Sequence, residues 1–598
     1  LGLPPLVNPY PALNLDFINN QTLDSRVTFS RGSQATLFDS TGTLKFAASN
    51  VIRNSTGVGA VVGTPGTDPT NWVLSPAASG LTKEIVATGT ESGIAYIDVR
   101  YYGTPSAGTN VTISFEAANS VAASSGQTWT QSTYVKLQAG SFTNTTTTLS
   151  LLGTNGTSGT EAFTSSTITS TPSDLQNCRL SVTGTLAQAT TTHVQPRVRI
   201  GYTVGAAFDI TLRIGVPQLE RGSVATAVNP TSGTAYYAPR FDYNPSTLQP
   251  LGLLIEEART NSIRNNTMVG AVAGTPGTVP TNWVISTASG NLTSREIVGI
   301  GTENGIAYVD VRFVASGAVS ASIYPESPTG VAALNAQTWT TAFYVKLTSG
   351  SLTNVTVQTS IVENDSGGNF LAGANGSAFV PTSAALATQR FTQTRTNTNA
   401  STAFEWSRVL VTFSGAGDVT LRIGLPQLEL GAFATSVIPT TTTALTRNAD
   451  VASMTGTNFS SWYNASEGTL FAEASANGAA GGSFIASIQD SAATSYIRVR
   501  QNLGGVAVLG QAASSSGSTP GLAQTNFTVN TPFKIIIAAK SSDVAVSCNG
   551  GAVGTDSAMT TMPIVDRLTI GTSGFYLIRR IAYYPTRLPN TTLQALTA

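Results

Sequence analysis

The chain has 598 residues, of which only 10% are charged, and its 31 basic and 31 acidic side chains cancel. That balance excludes the electrostatic footprint of a nucleic-acid or anionic-membrane binder, and no run approaches the ~18 apolar residues that a membrane-spanning helix needs. At roughly 150 residues per domain the length calls for about three to five domains, each large enough to bury a core.

Solubility must come from Ser, Thr, Asn, Gln and 57 glycines, a composition that suits turn-rich β-sandwiches and leaves little room for helix. The predicted fold class is therefore all-β and multidomain. Cys178 and Cys548 lie far apart in the chain and are expected to be buried free thiols. A start at Leu1 without methionine is expected of a processed or trimmed N terminus, and a soluble protein or a component of an assembly is expected.

Residues 1–50 read as a β-hairpin segment. Val27, Phe29, Thr36, Phe38, Leu44 and Phe46 recur at spacing two around Asp39-Ser40-Thr41-Gly42, whose glycine supplies a positive φ. Such a hairpin is marginal alone, and the segment 233–261, with its hinge PRFDYNPSTLQPLGLLIEEARTN from Pro239 to Asn261, is its expected partner in a small β collar.

The collar splits an internal repeat. From Gly63 to Val73 and from Gly274 to Val284, 10 of 11 residues match, and the stretches starting at Asp209 and Asp418 match at 11 of 14 positions. Matching text in register over this length is duplication and not shared low complexity. Residues 51–232 and 262–440 are accordingly two copies of one jelly-roll-like sandwich, the first inserted in the collar, with strands such as Gly93-IAYIDVRYY, Thr128-WTQSTYVKL and Asp209-ITLRIGVPQLE. From 441 to 598 the text changes. FKIIIAAK, DVAVSCNGG and FYLIRRIAYYP predict a third, different sandwich, with Ile535, Ile537 and Ile581 in its core and a hairpin turn at Asn549-Gly550-Gly551.

Several of these texts resemble a family of bacteriophage structural proteins described as head-spike, head-fibre or tail-fibre proteins. They are VTFSRGSQATLFDSTGTLKFAASN, the hinge itself, PQLELGAFATSVIPTT, RNADVASMTGTNFSSWYNASEGTLFAEA and RRIAYYPTRLPNTTLQALT. In that family the hairpin text runs almost directly into PRFDY, whereas here the first repeat intervenes. The resemblance implies a virion surface protein whose repeats are similar to carbohydrate-binding-module jelly rolls and whose C-terminal part is similar to a concanavalin A-like (laminin G-like) sandwich. Its implied partners are other virion proteins, host surface polysaccharide and further copies of itself, with no nucleic acid and no membrane insertion.

The residues for catalysis are sparse. His193 is the only histidine and the second repeat has none, so neither a nucleophile-histidine-acid triad nor a zinc site is supported. Glu256 and Glu257 are adjacent, and neighbours on a strand point to opposite faces, so they do not flank one glycosidic bond; one in solvent and one on Arg259 or Arg240 is expected. A non-enzymatic protein is the expectation.

Binding has better candidates. Tyr96, Asp98 and Arg100 share one strand face, as do Tyr308, Asp310 and Arg312. An aromatic ring with an Asp and an Arg can grip a sugar, the ring covering its apolar face and the charges bonding hydroxyls; the competing reading is a polar strand face with cross-strand ion pairs. Trp72 and Trp283, in Pro-Thr-Asn-Trp loops, are either sugar platforms or loop anchors, while Trp129 and Trp339 belong to the core edge. No cofactor is expected beyond a structural calcium, for which Asp209 or Asp418 would be carboxylate ligands. Three functions remain open: an adhesin with repeated weak sugar sites, a purely structural decoration or fibre protein, and a polysaccharide depolymerase.

Overall fold

The computed structural model describes residues 10–169, 174–326, 330–478, 483–502, 507–514, 517–518 and 522–598; Leu1 lies outside them. The chain divides into two compact units, one made of residues 46–238 and the other of 1–45 with 239–598. Both are built from antiparallel sheets, as the composition requires. Among the described residues, helix is confined to Thr457–Ser460, Asn590–Thr597 and two short 3-10 turns.

Residues 46–238 form a sandwich of two five-stranded sheets. One runs in the order Arg179–Thr185, Thr128–Gly140, Phe208–Arg221, Ile94–Gly103, Leu81–Glu91, and the other in the order Gly159–Thr164, Thr145–Thr154, His193–Tyr202, Asn110–Ser114, Val73–Leu74. Period-2 alternation explains the core. Ile97, Val99 and Tyr101 point inward from one sheet and Val194, Val198 and Ile200 from the other, all 2% exposed or less.

The second repeat has the same strand order, with Ile306–Ala315 between Leu292–Glu303 and Gly417–Leu430. The registers coincide as well: Tyr96 faces Gly215 and Tyr308 faces Gly424. Each copy is tied shut by a buried asparagine that the sequence reading did not single out. Asn50 donates to the Pro217 and Asn229 carbonyls (both 3.0 Å) and accepts from the Ile52 and Leu219 amides. Asn261 does the same for Pro426, Ile438, Ile263 and Leu428. One side chain thus satisfies four backbone groups that would otherwise be orphaned inside.

The third sandwich has two eight-stranded sheets. Ile535, Ile537 and Ile581 are fully buried in its core, and Asn549 and Gly550 both take positive φ, with the Gly551 amide on the Cys548 carbonyl at 2.8 Å, the turn expected there. Cys178 and Cys548 are both buried and neither is in a disulfide.

The hairpin meets the hinge as expected, the Phe38 amide donating to Asp242 at 2.7 Å, but the collar differs in its sheet. It is not a separate sheet, because the hinge strands Arg240–Tyr243 and Pro250–Glu256 extend a sheet of the third sandwich, pairing with Phe575–Tyr584 beside Leu13–Asp16. The reason lies in Leu253-Leu254-Ile255, apolar on both faces and no more than 1% exposed. Leu253 and Ile255 enter the third core, while Leu254 packs on Phe433, Phe575 and Leu577, and a two-stranded ribbon cannot bury both faces. The hairpin is likewise shorter than expected. Thr36–Phe38 and Leu44–Phe46 pair across the Asp39–Gly42 turn, but Thr28–Ser30 leaves to pair with Val451–Thr455 at the edge of the other sheet of the third sandwich.

Candidate functional site

The predicted sugar-gripping residues do share a face in each repeat, outward on the five-stranded sheet. Their partners are each other's neighbours. The Asp98 carboxylate, 3% exposed, takes both Nε and Nη2 of Arg213 at 2.8 Å, and that guanidinium lies 3.6 Å over the Tyr96 ring. Arg213 Nη1 continues to Glu91 at 2.6 Å, and Glu91 also receives Lys136 and the Leu175 amide. The Lys136 hydrogen bond and then Arg213 hold the Glu91 carboxyl down at about 2, against the upward push of burial. Two residues further along the strand of Asp98, Arg100 makes a bidentate pair with Asp209 (2.9 and 2.7 Å), reaches Glu84 at 3.2 Å and stacks 4.1 Å over Tyr102.

The second copy repeats these ion pairs, with Val314 in the place of Tyr102. Asp310 takes Arg422 twice at 2.8 Å, Arg422 stacks 3.5 Å over Tyr308 and reaches Glu303, and Glu303 binds Lys346. Arg312 pairs with Asp418 at 3.0 and 2.7 Å and with Glu296. These are cross-strand ion ladders, and the charges that were candidates for sugar hydroxyls already serve neighbouring strands. Asp209 and Asp418 are corrected as calcium ligands for the same reason, since both oxygens of each face a guanidinium.

Trp72 and Trp283 are corrected as sugar platforms. They are 5% and 4% exposed, and each indole N–H donates to a buried carbonyl, Trp72 to Asn54 at 2.6 Å and Trp283 to Asn265 at 2.7 Å. Each of those asparagines in turn pins its loop, Asn54 to Val58 and Thr70, Asn265 to Val269 and Thr281. A ring covered on both faces and hydrogen-bonded at its edge anchors a loop and offers no face to a ligand. Trp129 and Trp339 are buried at 4% and 5%, as expected of the core edge.

The adjacent glutamates lead to a second constellation. Neither stands in solvent: Glu257 pairs with Arg259, and Glu256 belongs to a wholly buried network. Arg240 Nη1 reaches Glu256 at 2.6 Å, Ser436 Oγ at 2.8 Å and the Thr36 carbonyl at 3.2 Å, while Nη2 reaches Asp450 at 2.5 Å. Arg31 holds the other Asp450 oxygen at 2.8 Å, and Arg447 lies 3.4 Å from Glu256. None of these five charged side chains has any exposed surface. Burial alone would raise the Glu256 carboxyl, but the Arg447 and Arg240 charges and the Ser436 hydrogen bonds bring it to about 2. The network joins four segments of the chain: the N-terminal stretch, the hinge, the exit of the second repeat, and the entry to the third sandwich. Arg31, Arg447 and Asp450 were missed in the sequence; the available signal was that a chain so poor in charge places arginine in SRGS, PRFDY and RNAD.

The His193 ring lies against Thr192, with Oγ1 and Nδ1 2.8 Å apart, and among the described residues no group of three or more His, Cys, Asp or Glu gathers for a metal. The polar cleft of about 550 Å³ lined by Asp543, Asp556 and Arg587 carries no aromatic ring.

Fold and sites together define a multidomain all-β protein of duplicated sandwiches with a buried ionic joint. No family model matches the sequence, and no curated protein matches it. Among solved structures it is similar to the tandem CBM22 domains of Paenibacillus barcinonensis Xyn10C, at 12% identity over 62% of this chain and 97% of that one, TM-score 0.23. It is also similar to Trypanosoma rangeli sialidase, at 10% identity over 96% and 99% of the two chains, TM-score 0.20. At these scores neither likeness bears on function.

Proposed function

We propose that the chain is a non-enzymatic structural protein of a bacteriophage virion surface, a spike or fibre component that holds β-sandwiches in a fixed arrangement and acts as a homo-oligomer with other virion proteins. The observation that carries this reading is the buried joint. Arg31, Arg240, Glu256, Arg447 and Asp450 come from the very texts that resemble phage spike and fibre proteins, SRGSQAT, PRFDY, LLIEEAR and RNAD, so the resemblance rests on residues that build architecture. Against a depolymerase stands the pairing of each carboxylate weighed for catalysis with an arginine. Labelling purified virions with an antibody to this chain, viewed by electron microscopy, tests the proposal: label on projecting features is expected, and virions free of the chain overturn it.

Attachment to host polysaccharide is the second reading. It is favoured by the outward ends of the ladders, where Arg100 and Asp209 keep a third to a half of their side-chain surface in solvent beside Tyr102. A glycan array at high sugar concentration decides between the two, binding that disappears in Arg100→Ala being the result expected of an adhesin.

A further inference from the structure

The second repeat holds a buried acid that no part of the architecture uses. Glu405, on the strand Phe404–Phe413, is the direct cross-strand partner of Glu363, on Val355–Asn364, and both are fully buried. Partners in an antiparallel ladder point to the same side, so two carboxyl groups face into one interior. Their surroundings differ completely. Glu363 is saturated as an anion: it binds Arg395, the amides of Thr398 and Asn399 at 3.1 and 3.0 Å, and Thr402 Oγ1 at 2.7 Å. By hydrogen-bond geometry neither oxygen of Glu405 has a partner, and the side chain of Asn397, 2% exposed, lies against it.

The duplication supplies the control. In the first repeat the corresponding pair is Gly153 opposite Val194, and the position of Asn397 is Leu186; Val194 and Leu186 are fully buried and apolar. There the anion that caps the following loop is Glu161, on the neighbouring strand, bonded to Ala187, Gln188 and Thr191. Glu363 has taken over that duty in the second repeat. Glu405 has no such counterpart, and the fold closes without it.

A buried carboxylate without a hydrogen-bond partner, set directly across the ladder from the anion Glu363, is incompatible with ionisation, and one proton resolves the mismatch. We propose that Glu405 is kept as the neutral acid beside Asn397, and that this proton is a latch on the segment 331–337. That segment is fastened through both residues: Val331 pairs with Glu405, Asn397 Nδ2 donates to the Leu334 carbonyl at 3.0 Å, the Asn397 amide donates to Gln337, and the Ala336 amide donates to Asn397. The charged groups facing Glu405 are Glu363 from the paired strand and Arg395 from Arg390–Thr396; Val331 and Ala332 on its other side are uncharged. Burial pushes the Glu405 carboxyl up to about 8; Asn397 and Arg395 pull it down, and Glu363 pushes it further up. With the folded value above the unfolded one, the latch is fully closed below about pH 4.5 and loosens as pH rises toward about 8.

The test is hydrogen exchange of the amides of 331–337 in the full chain from pH 5 to 9, each rate corrected for intrinsic exchange, in wild type and Glu405→Gln. Protection in wild type should fall by about tenfold per pH unit up to about pH 8, whereas Gln, neutral at every pH of the series, should leave it flat. If Glu405→Gln does not fold, the double variant Glu405→Val with Asn397→Leu, which copies the first repeat, takes its place and should also be flat. Parallel pH profiles for wild type and variant overturn the proposal. So does a wild-type profile that is flat and gains protection on addition of calcium, which would mean that a cation, not a proton, meets these oxygens.

Discussion

Arg240 and Glu256 face each other at 2.6 Å across the two hinge strands, with no part of either side chain exposed. The pair lies where four segments of the chain converge, and Ser436, from the exit of the second repeat, closes the ring on Glu256 with its amide at 2.7 Å and its hydroxyl at 2.6 Å.

Removing one partner of such a pair leaves a buried charge without compensation. Arg240→Ala should destabilise the unit of residues 1–45 and 239–598 by about 3–5 kcal/mol and leave the unit of 46–238 unchanged. Calorimetry resolving two transitions checks this, and a shift of both by the same amount would count against an effect confined to the joint.

Acid should reach the same site. Because the folded Glu256 carboxyl sits at about 2, below its unfolded value, its contribution to stability is present above about pH 4.5 and is lost as pH falls toward about 2. The urea midpoint of that unit should therefore drop through this window, and a midpoint unchanged at pH 2.5 would show the carboxylate to be uncoupled from folding.

Trp72→Ala and Trp283→Ala should each cost about 3–5 kcal/mol of stability in their own sandwich, through lost burial and an orphaned carbonyl on Asn54 or Asn265. Glycan or cell attachment per folded molecule should stay the same. Retained stability with lost attachment would restore the sugar-platform reading.

The ends of the inserted unit lie side by side, Tyr236–Tyr237 pairing with Ser49–Asn50 and the Ala238 amide donating to the Ala48 carbonyl at 2.9 Å. Deleting 46–238 with a short glycine-serine bridge should yield a folded protein, because every residue of the third core lies outside that span. Loss of cooperative unfolding in the deletion would show that the remainder depends on the insert.

What the sequence determined by itself was whatever repeats locally. Period-2 alternation put Tyr96, Asp98 and Arg100 on one strand face, because side-chain direction on a strand depends only on position parity; the apolar run around Ile535 and Ile537 marked a core strand, and matching text at Gly63 and Gly274 revealed two copies of one sandwich. Tertiary structure alone decided which charges meet. Asp98 and Arg213 are over a hundred residues apart, and Arg31 and Asp450 over four hundred, so their pairing depends on sheet order, which periodicity does not encode. The same holds for burial of the loop tryptophans: Pro-Thr-Asn-Trp reads alike for an exposed ring and an anchored one, and only the carbonyls of Asn54 and Asn265, waiting at the right depth for the indole N–H, decide between them.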